Sequence, residues 1–153
     1  MLNSQIFAWF APLREKEISI NWVMKDAGMD CQNNRTKLIF QDKVILENMK
    51  YAASFLGRAK GLMLASKKKV KNGICIALPV NTDTRFKASV TMLFCFYPLE
   101  IIFIDSTYQI VEKTILQPWK FNYTPAKACK YIIEAEVGVF AELAIGHYVK
   151  ILR

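Results

Sequence analysis

This chain of 153 residues predicts an all-β (mainly β) fold, a small antiparallel sandwich or barrel carrying one or two short helices. Three observations carry that expectation. Short apolar runs rich in β-branched and aromatic residues recur at close intervals from Leu38 to Leu152, with turn-forming residues between them. The spacing of an amphipathic helix is clear only from Ala52 to Met63. Finally, Thr91 to Asp105, reading TMLFCFYPLEIIFID, holds eleven hydrophobic side chains in fifteen positions. That run is too short, and too broken by Pro98 and Glu100, to span a membrane as a helix, which needs about 20 apolar residues. Its apolar residues are consecutive rather than alternate, so it reads as two strands buried on both faces and divided at Pro98.

The elements follow in order. Residues 1–32 read as an N-terminal extension in which Ile18, Ile20, Trp22 and Met24 recur with the period of a strand. A single β-rich domain then occupies residues 33–153. Leu38 to Phe40 and Val44 to Leu46 flank Gln41-Asp42-Lys43 and predict a hairpin. From Ala52 to Met63, Phe55, Leu56, Ala59, Leu62 and Met63 would share one helical face. Gly57 and Gly61 weaken that helix by up to about 1 kcal/mol each relative to alanine, so it must rest on packing. Lys67 to Lys71 reads as a solvated lysine-rich loop. Strands are expected at Ile74 to Leu78, Ala88 to Tyr97, Leu99 to Asp105, Gln109 to Leu116 and Lys130 to Ala135. A second short helix is expected from Val137 to Ala144, and a closing strand from His147 to Leu152.

Composition narrows the class further. The chain is 53% hydrophobic and 12% aromatic, with six glycines and five prolines, which describes a globular domain without a linker. A domain of this length buries roughly two-thirds of its unfolded surface and needs no staple. Cys31, Cys75, Cys95 and Cys129 lie far apart, and His147 is the one histidine, so neither a zinc site nor any other metal or cofactor is implied. Four reduced thiols, and an N-terminus without a basic residue ahead of its short apolar patch, predict a cytoplasmic protein.

The net charge of +8 is unevenly spread. Arg58, Lys60, Lys67, Lys68, Lys69, Lys71, Arg85 and Lys87 face a single acid, Asp83, between positions 58 and 87, and the rest of the chain is nearly balanced. Lys67, Lys68, Lys69 and Lys71 are therefore the candidates for a polyanion or nucleic-acid contact made through counterion release. No aromatic residue is interleaved with them to stack bases, and the alternative is a loop that keeps an apolar protein soluble.

Several short motifs stand in a specific order: Arg58 with Gly61-Leu62-Met63, then Gly73 opening an apolar strand that ends at Pro79, then Met92 six residues before Pro98-Leu99-Glu100. Ile102 to Asp105, Pro118-Trp119, Lys130 to Glu134, Gly138 and Gly146 continue it. This order resembles the domain of unknown function 192 family over about Asn33 to Ile151 and looks closest to archaeal members. The resemblance implies a jelly-roll-like β domain with one helix after the first strands. It transfers no catalytic residue, because the family has no established activity. Where members often carry Trp or His before the methionine, and bacterial ones Lys-Asn after it, this chain has Thr91, Leu93 and Phe94. Glu100 stands in place of the aspartate after Pro-Leu, and Gly146-His147 in place of a Gly-Asp pair. A site built on those polar positions is thus altered here.

The candidate ligand-binding residues are Arg58, Lys60, Glu100 and Trp119. Glu100 sits at the edge of an apolar strand and needs a partner, for which Arg58 offers a bidentate guanidinium. The pair reads either as a structural clamp of helix on sheet or as part of a site for an anionic ligand at Arg58 and Lys60. Trp119, Phe121 and Tyr123 alternate along an extended segment and would cover the sheet end or line a groove. Glu134 and Glu136 would share one strand face, a spacing that does not separate catalytic carboxylates from salt-bridge partners. His147 reads as a strand histidine without an acidic neighbour. No P-loop, dinucleotide fingerprint or nucleophile elbow is present. The function stays open at the level of sequence: a small ligand- or partner-binding β-module first, an enzyme of unknown reaction as the alternative, a polyanion-binding protein third.

Overall fold

The computed structural model describes residues 35–79 and 82–153, so the strand period at 18–24 and Cys31 lie outside the described residues. β1 (Arg35–Phe40) and β2 (Lys43–Ala52) form the expected hairpin. Gln41 and Asp42 both adopt positive φ, 48° and 61°, as a two-residue turn matching the strand twist requires. Two six-residue helices follow, α1 (Phe55–Lys60) and α2 (Lys67–Asn72), before β3 (Ile74–Ala77). β4 (Leu99–Ile104), β5 (Ile110–Leu116), β6 (Tyr131–Glu136) and β7 (Lys150–Leu152) complete a seven-stranded sheet of order β5-β4-β6-β3-β2-β1-β7.

The fold is therefore mainly β with two short helices, but the sheet is mixed. β3 runs parallel to β2, because the chain crosses over through α1 and α2 instead of turning back. The sheet curls, and the residues entering β7 bond back to the far strand: the Ile110 amide donates to His147 O at 2.8 Å, and the Val149 amide to Tyr108 O at 3.0 Å. β7 itself pairs with β1, so one segment bridges both ends of the curl.

β3, β4 and the middle of β6 are buried on both faces, as consecutive apolar residues predict for central strands. Ile74, Ile76, Leu99, Ile101, Phe103 and Ile132 build the core on the face that carries Leu62 and Val70 from the helical crossover. Cys75, Ala77, Ile102, Ile104, Ile133 and Ala135 build a second core on the opposite face, closed by Phe140, Leu143 and Val149.

Four local expectations are corrected. Ala88 to Tyr97 is not a strand: a 3-10 turn, Phe86–Ala88, precedes a loop in which Val90 bridges Tyr123 alone and Phe94 takes a positive φ of 59°. Phe94 and Phe96 are exposed there, while Met92 and Cys95 point into the core. Val137 to Ala144 forms turns rather than a helix: the Val139, Ala141 and Leu143 amides bond carbonyls three residues back, and distant side chains take other backbone groups. The Gly138 and Phe140 amides donate to Glu100, and Lys113 donates to the Phe140 and Leu143 carbonyls. Lys67 to Lys71 is part of a helix pinned by Val70, not a loop. α1 buries none of its own residues, with Phe55 75% exposed, and it is held by the Ser54 cap and by Leu62 beyond its end.

Gly73 ends α2 with φ of 72°, and a Cβ there would lie 3.0 Å from both the Glu134 carbonyl oxygen and Leu46 Cδ1. Gly73→Ala should therefore lower stability by about 1–3 kcal/mol, read as a lower urea midpoint at unchanged slope.

Candidate functional site

On the helical face, a cavity of about 380 Å³ opens between α1, the end of β3 and the loop after the 3-10 turn. Its walls are apolar, built from Leu62, Met63, Ile76, Leu78, Val90 and Ile132. Four ionisable side chains also line it: Arg58 and Lys60 from α1, Lys87 from the 3-10 turn, and Glu134 from β6. A few convergent polar groups in an apolar concavity of roughly 300–1,000 Å³ is the usual form of a small-molecule site.

Glu134 is the anomalous member. Its neighbours in the sheet are Ile74 on β3 and Ile101 on β4, and it is only 4% exposed. Among the described residues no cation lies within ion-pairing distance of it. Burial pushes its carboxyl up from 4.5 to about 7, an effect that a hydrogen bond from the Leu62 backbone partly offsets. The Cys95 thiol, also in this core, is pushed up to about 11 by burial and by the nearby Glu134.

Gly61 makes room for that carboxylate. It caps α1 with φ of 45° and ψ of −128°, and its amide donates to Gly57 O at 3.2 Å. A Cβ at this position would stand 3.4 Å from Glu134 Oε2. The glycine thus brings the helix end over the acid in a backbone conformation that side chains disfavour.

The residues singled out from sequence do not converge on this site as a set. Arg58 and Lys60 line the cavity, and the Arg58 guanidinium also donates to the Ala53 carbonyl. Glu100 does not pair with Arg58, because it points to the opposite face of the sheet. In β4 it stands one position before Ile101, and it is registered against Ala135, so its side chain joins the second core. Its partner is Lys113 on β5, at 3.1 Å, and it also accepts the Gly138 and Phe140 amides at 2.8 and 3.2 Å.

Trp119 is 52% exposed and packs edge-on against Phe94 and Phe96, with ring centroids 5.6 and 5.8 Å away. It is not a lining residue of the cavity. Phe121 is exposed, whereas Tyr123 stacks on Phe103 and donates to Glu112, so the three alternating rings do not form one groove. Lys67, Lys68, Lys69 and Lys71 are exposed around α2. His147 stacks on Phe40 at 4.7 Å and accepts the Ala144 amide, a local structural role. Among the described residues no cluster of His, Cys, Asp and Glu could hold a metal ion.

Sequence reasoning gives Glu134 no distinct role and does not single out Lys87. The parity of β6 holds the needed signal, since Glu134 shares a face with the buried Ile132. The partner strands that make that face a buried one are set by pairing across the chain.

The family model DUF192, described as "Uncharacterized ACR", matches residues 38–151. The chain belongs to the DUF192 family. A UPF0127 protein of Thermococcus sibiricus is 38% identical to this DUF192 protein over 106 residues, which is 69% of this chain and 63% of that one. A UPF0127 protein of Pyrococcus furiosus is 33% identical over 107 residues, 70% of this chain and 87% of that one. The chain spans less than two-thirds of the Thermococcus sibiricus relative's length. A Novosphingobium aromaticivorans protein of unknown function shares the fold at a TM-score of 0.63 and 18% identity, over 76% of this chain and 83% of that one. A Sinorhizobium meliloti structure does so at 0.61 and 17%, over 76% and 91%.

The UPF0127 relatives are archaeal and uncharacterised, so membership of DUF192 carries fold but no reaction. It does place two of the family's signals physically. Gly61 backs the buried Glu134, and the acid after Pro98-Leu99 anchors the turn at Gly138.

Proposed function

We propose that this DUF192 protein is a small ligand-binding β-module and that the cavity beneath α1 is its site. One observation carries the reading: a buried carboxyl without an ionic partner among the described residues lies in the wall of an apolar concavity. A carboxyl in such surroundings favours a binding or reaction role, since burial is energetically costly and pairing would relieve it. Arg58, Lys60 and Lys87 supply positive charge along the same cavity.

On the same reading, residues 33–153 are the module and residues 1–32 an extension of it. A cytoplasmic location belongs to it as well, supported by the free thiols of Cys75, Cys95 and Cys129. No helix among the described residues is long and apolar enough to cross a membrane.

A broad thermal-shift screen tests the reading, because a ligand raises apparent stability only when it prefers the folded state. Compounds that bind should raise the Tm in a concentration-dependent manner, with about 2.7 kcal/mol of stabilisation at a hundredfold excess over Kd. That shift should shrink when Leu78→Trp fills the cavity. Hits that stabilise the filled variant equally would place binding elsewhere.

A second reading has its own support. A carboxyl brought to about 7 has the acidity suited to a general acid or base at neutral pH, so proton transfer on the bound molecule is the enzymatic alternative. Mass spectrometry of a bound compound after prolonged incubation decides between them: recovery unchanged supports binding alone, and conversion lost in Glu134→Gln supports the enzyme.

A further inference from the structure

Resting on that ligand-binding reading, we infer that the cavity takes a small apolar zwitterion of the amino-acid class, its ammonium group on Glu134 and its carboxylate held by the Arg58, Lys60 and Lys87 cations.

Charge of both signs surrounds one apolar space without cancelling there. Glu134 is buried against Gly61 and the Leu62 amide, and no cation of the described chain neutralises it. Three cations line the same cavity, and none of them is ion-paired with a carboxylate among the described residues. A ligand that carried only an anion would answer the cations and leave the carboxyl without a counter-charge. One that carried only an amine would answer Glu134 and leave the three cations without a bound anion. A zwitterion satisfies both, and Leu62, Met63, Ile76 and Val90 provide the contact surface for an apolar side chain. The 380 Å³ space is at the small end of the range for ligand cavities, which suits a molecule the size of a single amino acid.

Gly61 explains why the acid remains available. A Cβ at that position would come into contact with Glu134 Oε2 at 3.4 Å, so the glycine leaves that side of the carboxyl uncovered. Arg58 and Lys60 on α1 and Lys87 on the 3-10 turn line the same cavity, the Cys95 thiol lies near Glu134, and the strand neighbours of Glu134, Ile74 and Ile101, are apolar. Seating an ammonium group requires the ionised carboxylate. Affinity for an amine-bearing ligand should therefore rise with pH across the range in which Glu134 loses its proton.

Titration calorimetry with three matched probes, phenylalanine, 3-phenylpropionate and phenethylamine, tests the inference. Phenylalanine should bind at least tenfold more tightly than either half-probe at pH 8. Its affinity should rise about tenfold from pH 6 to pH 8, whereas that of 3-phenylpropionate should not rise. Glu134→Gln should remove the advantage of phenylalanine over 3-phenylpropionate, and the wild-type pH profile gives the same answer without a variant. If 3-phenylpropionate or phenethylamine binds as tightly as phenylalanine, the zwitterion class is wrong while the cavity remains a ligand site. The zwitterion class is equally wrong if none of the three binds but other molecules from the screen do. If nothing in the screen binds in the cavity, the ligand-binding reading itself fails.

Discussion

At pH 8 the Glu134→Gln variant should be more stable than the wild type by on the order of 3 kcal/mol, and at pH 4 the two should be nearly equal. The folded protein keeps the proton on Glu134 until about pH 7, whereas the unfolded chain releases it near the ordinary value of 4.5. Between those two values the unfolded state binds fewer protons, so wild-type stability falls as pH rises and levels off above 7. Glutamine mimics the protonated acid and carries no such dependence. Urea denaturation of both proteins at pH 4, 6 and 8 checks it, read as the difference between them so that other titrating groups cancel. A variant that is equally stable at pH 8 would mean that the carboxylate is already neutralised in the fold. The result also bears on function, because a residue whose replacement stabilises the protein is one that stability alone does not explain.

Glu100→Gln should have the opposite outcome, losing about 3 kcal/mol with no effect on a ligand in the helical-face cavity. The loss follows from three partners at once: Lys113 at 3.1 Å, and the Gly138 and Phe140 amides. Removing the charge leaves Lys113, only 24% exposed, with backbone carbonyls alone, and loosens the turns that close the second core. Lys113→Met combined with Glu100→Gln should recover part of the loss, because an uncompensated buried charge is worse than an uncharged pair. Guanidinium denaturation of the single and double variants reads this directly. A fall in affinity for a cavity ligand in Glu100→Gln, at temperatures where it remains folded, would show that the two faces communicate.

The two carboxylates thus divide the roles that sequence reasoning assigns to one. Glu100 is a structural anchor on one face of the sheet, and Glu134, on the other, has no ionic partner among the described residues. The strand registry explains why Arg58 does not meet Glu100. Glu100 is registered against Ala135 and Glu134 against Ile101, so successive residues of β4 and β6 face opposite ways, and Arg58 lies over the Glu134 side.

Other differences share a physical cause. Phe94 and Phe96 have every residue-level mark of a buried strand, yet the loop holding them bonds only at Val90 and Met92 to the segment 119–123. Apolar spacing from Val137 to Ala144 suggests a helix, but the carboxylate of Glu100 and the ammonium of Lys113, from 27 or more residues away, take backbone groups that a helix would use. Local periodicity reports which side chains prefer burial. It does not report which distant groups will compete for a backbone amide.

Residue order alone determines that this chain is mainly β, that the strand from Leu99 is buried on both faces, that a hairpin turns at Gln41-Asp42-Lys43, and that the motifs belong to DUF192. Those features depend on near neighbours: two-residue alternation or its absence, turn chemistry, and the spacing of short motifs. The parallel placement of β3, the curl that joins β5 to the entry of β7, and the choice of Glu134 over Glu100 as the acid without an ionic partner among the described residues are decided by the tertiary structure. Pairing partners and face assignments come from contacts between residues far apart in the chain, and a shift of one residue in register would exchange the two carboxylates between the faces.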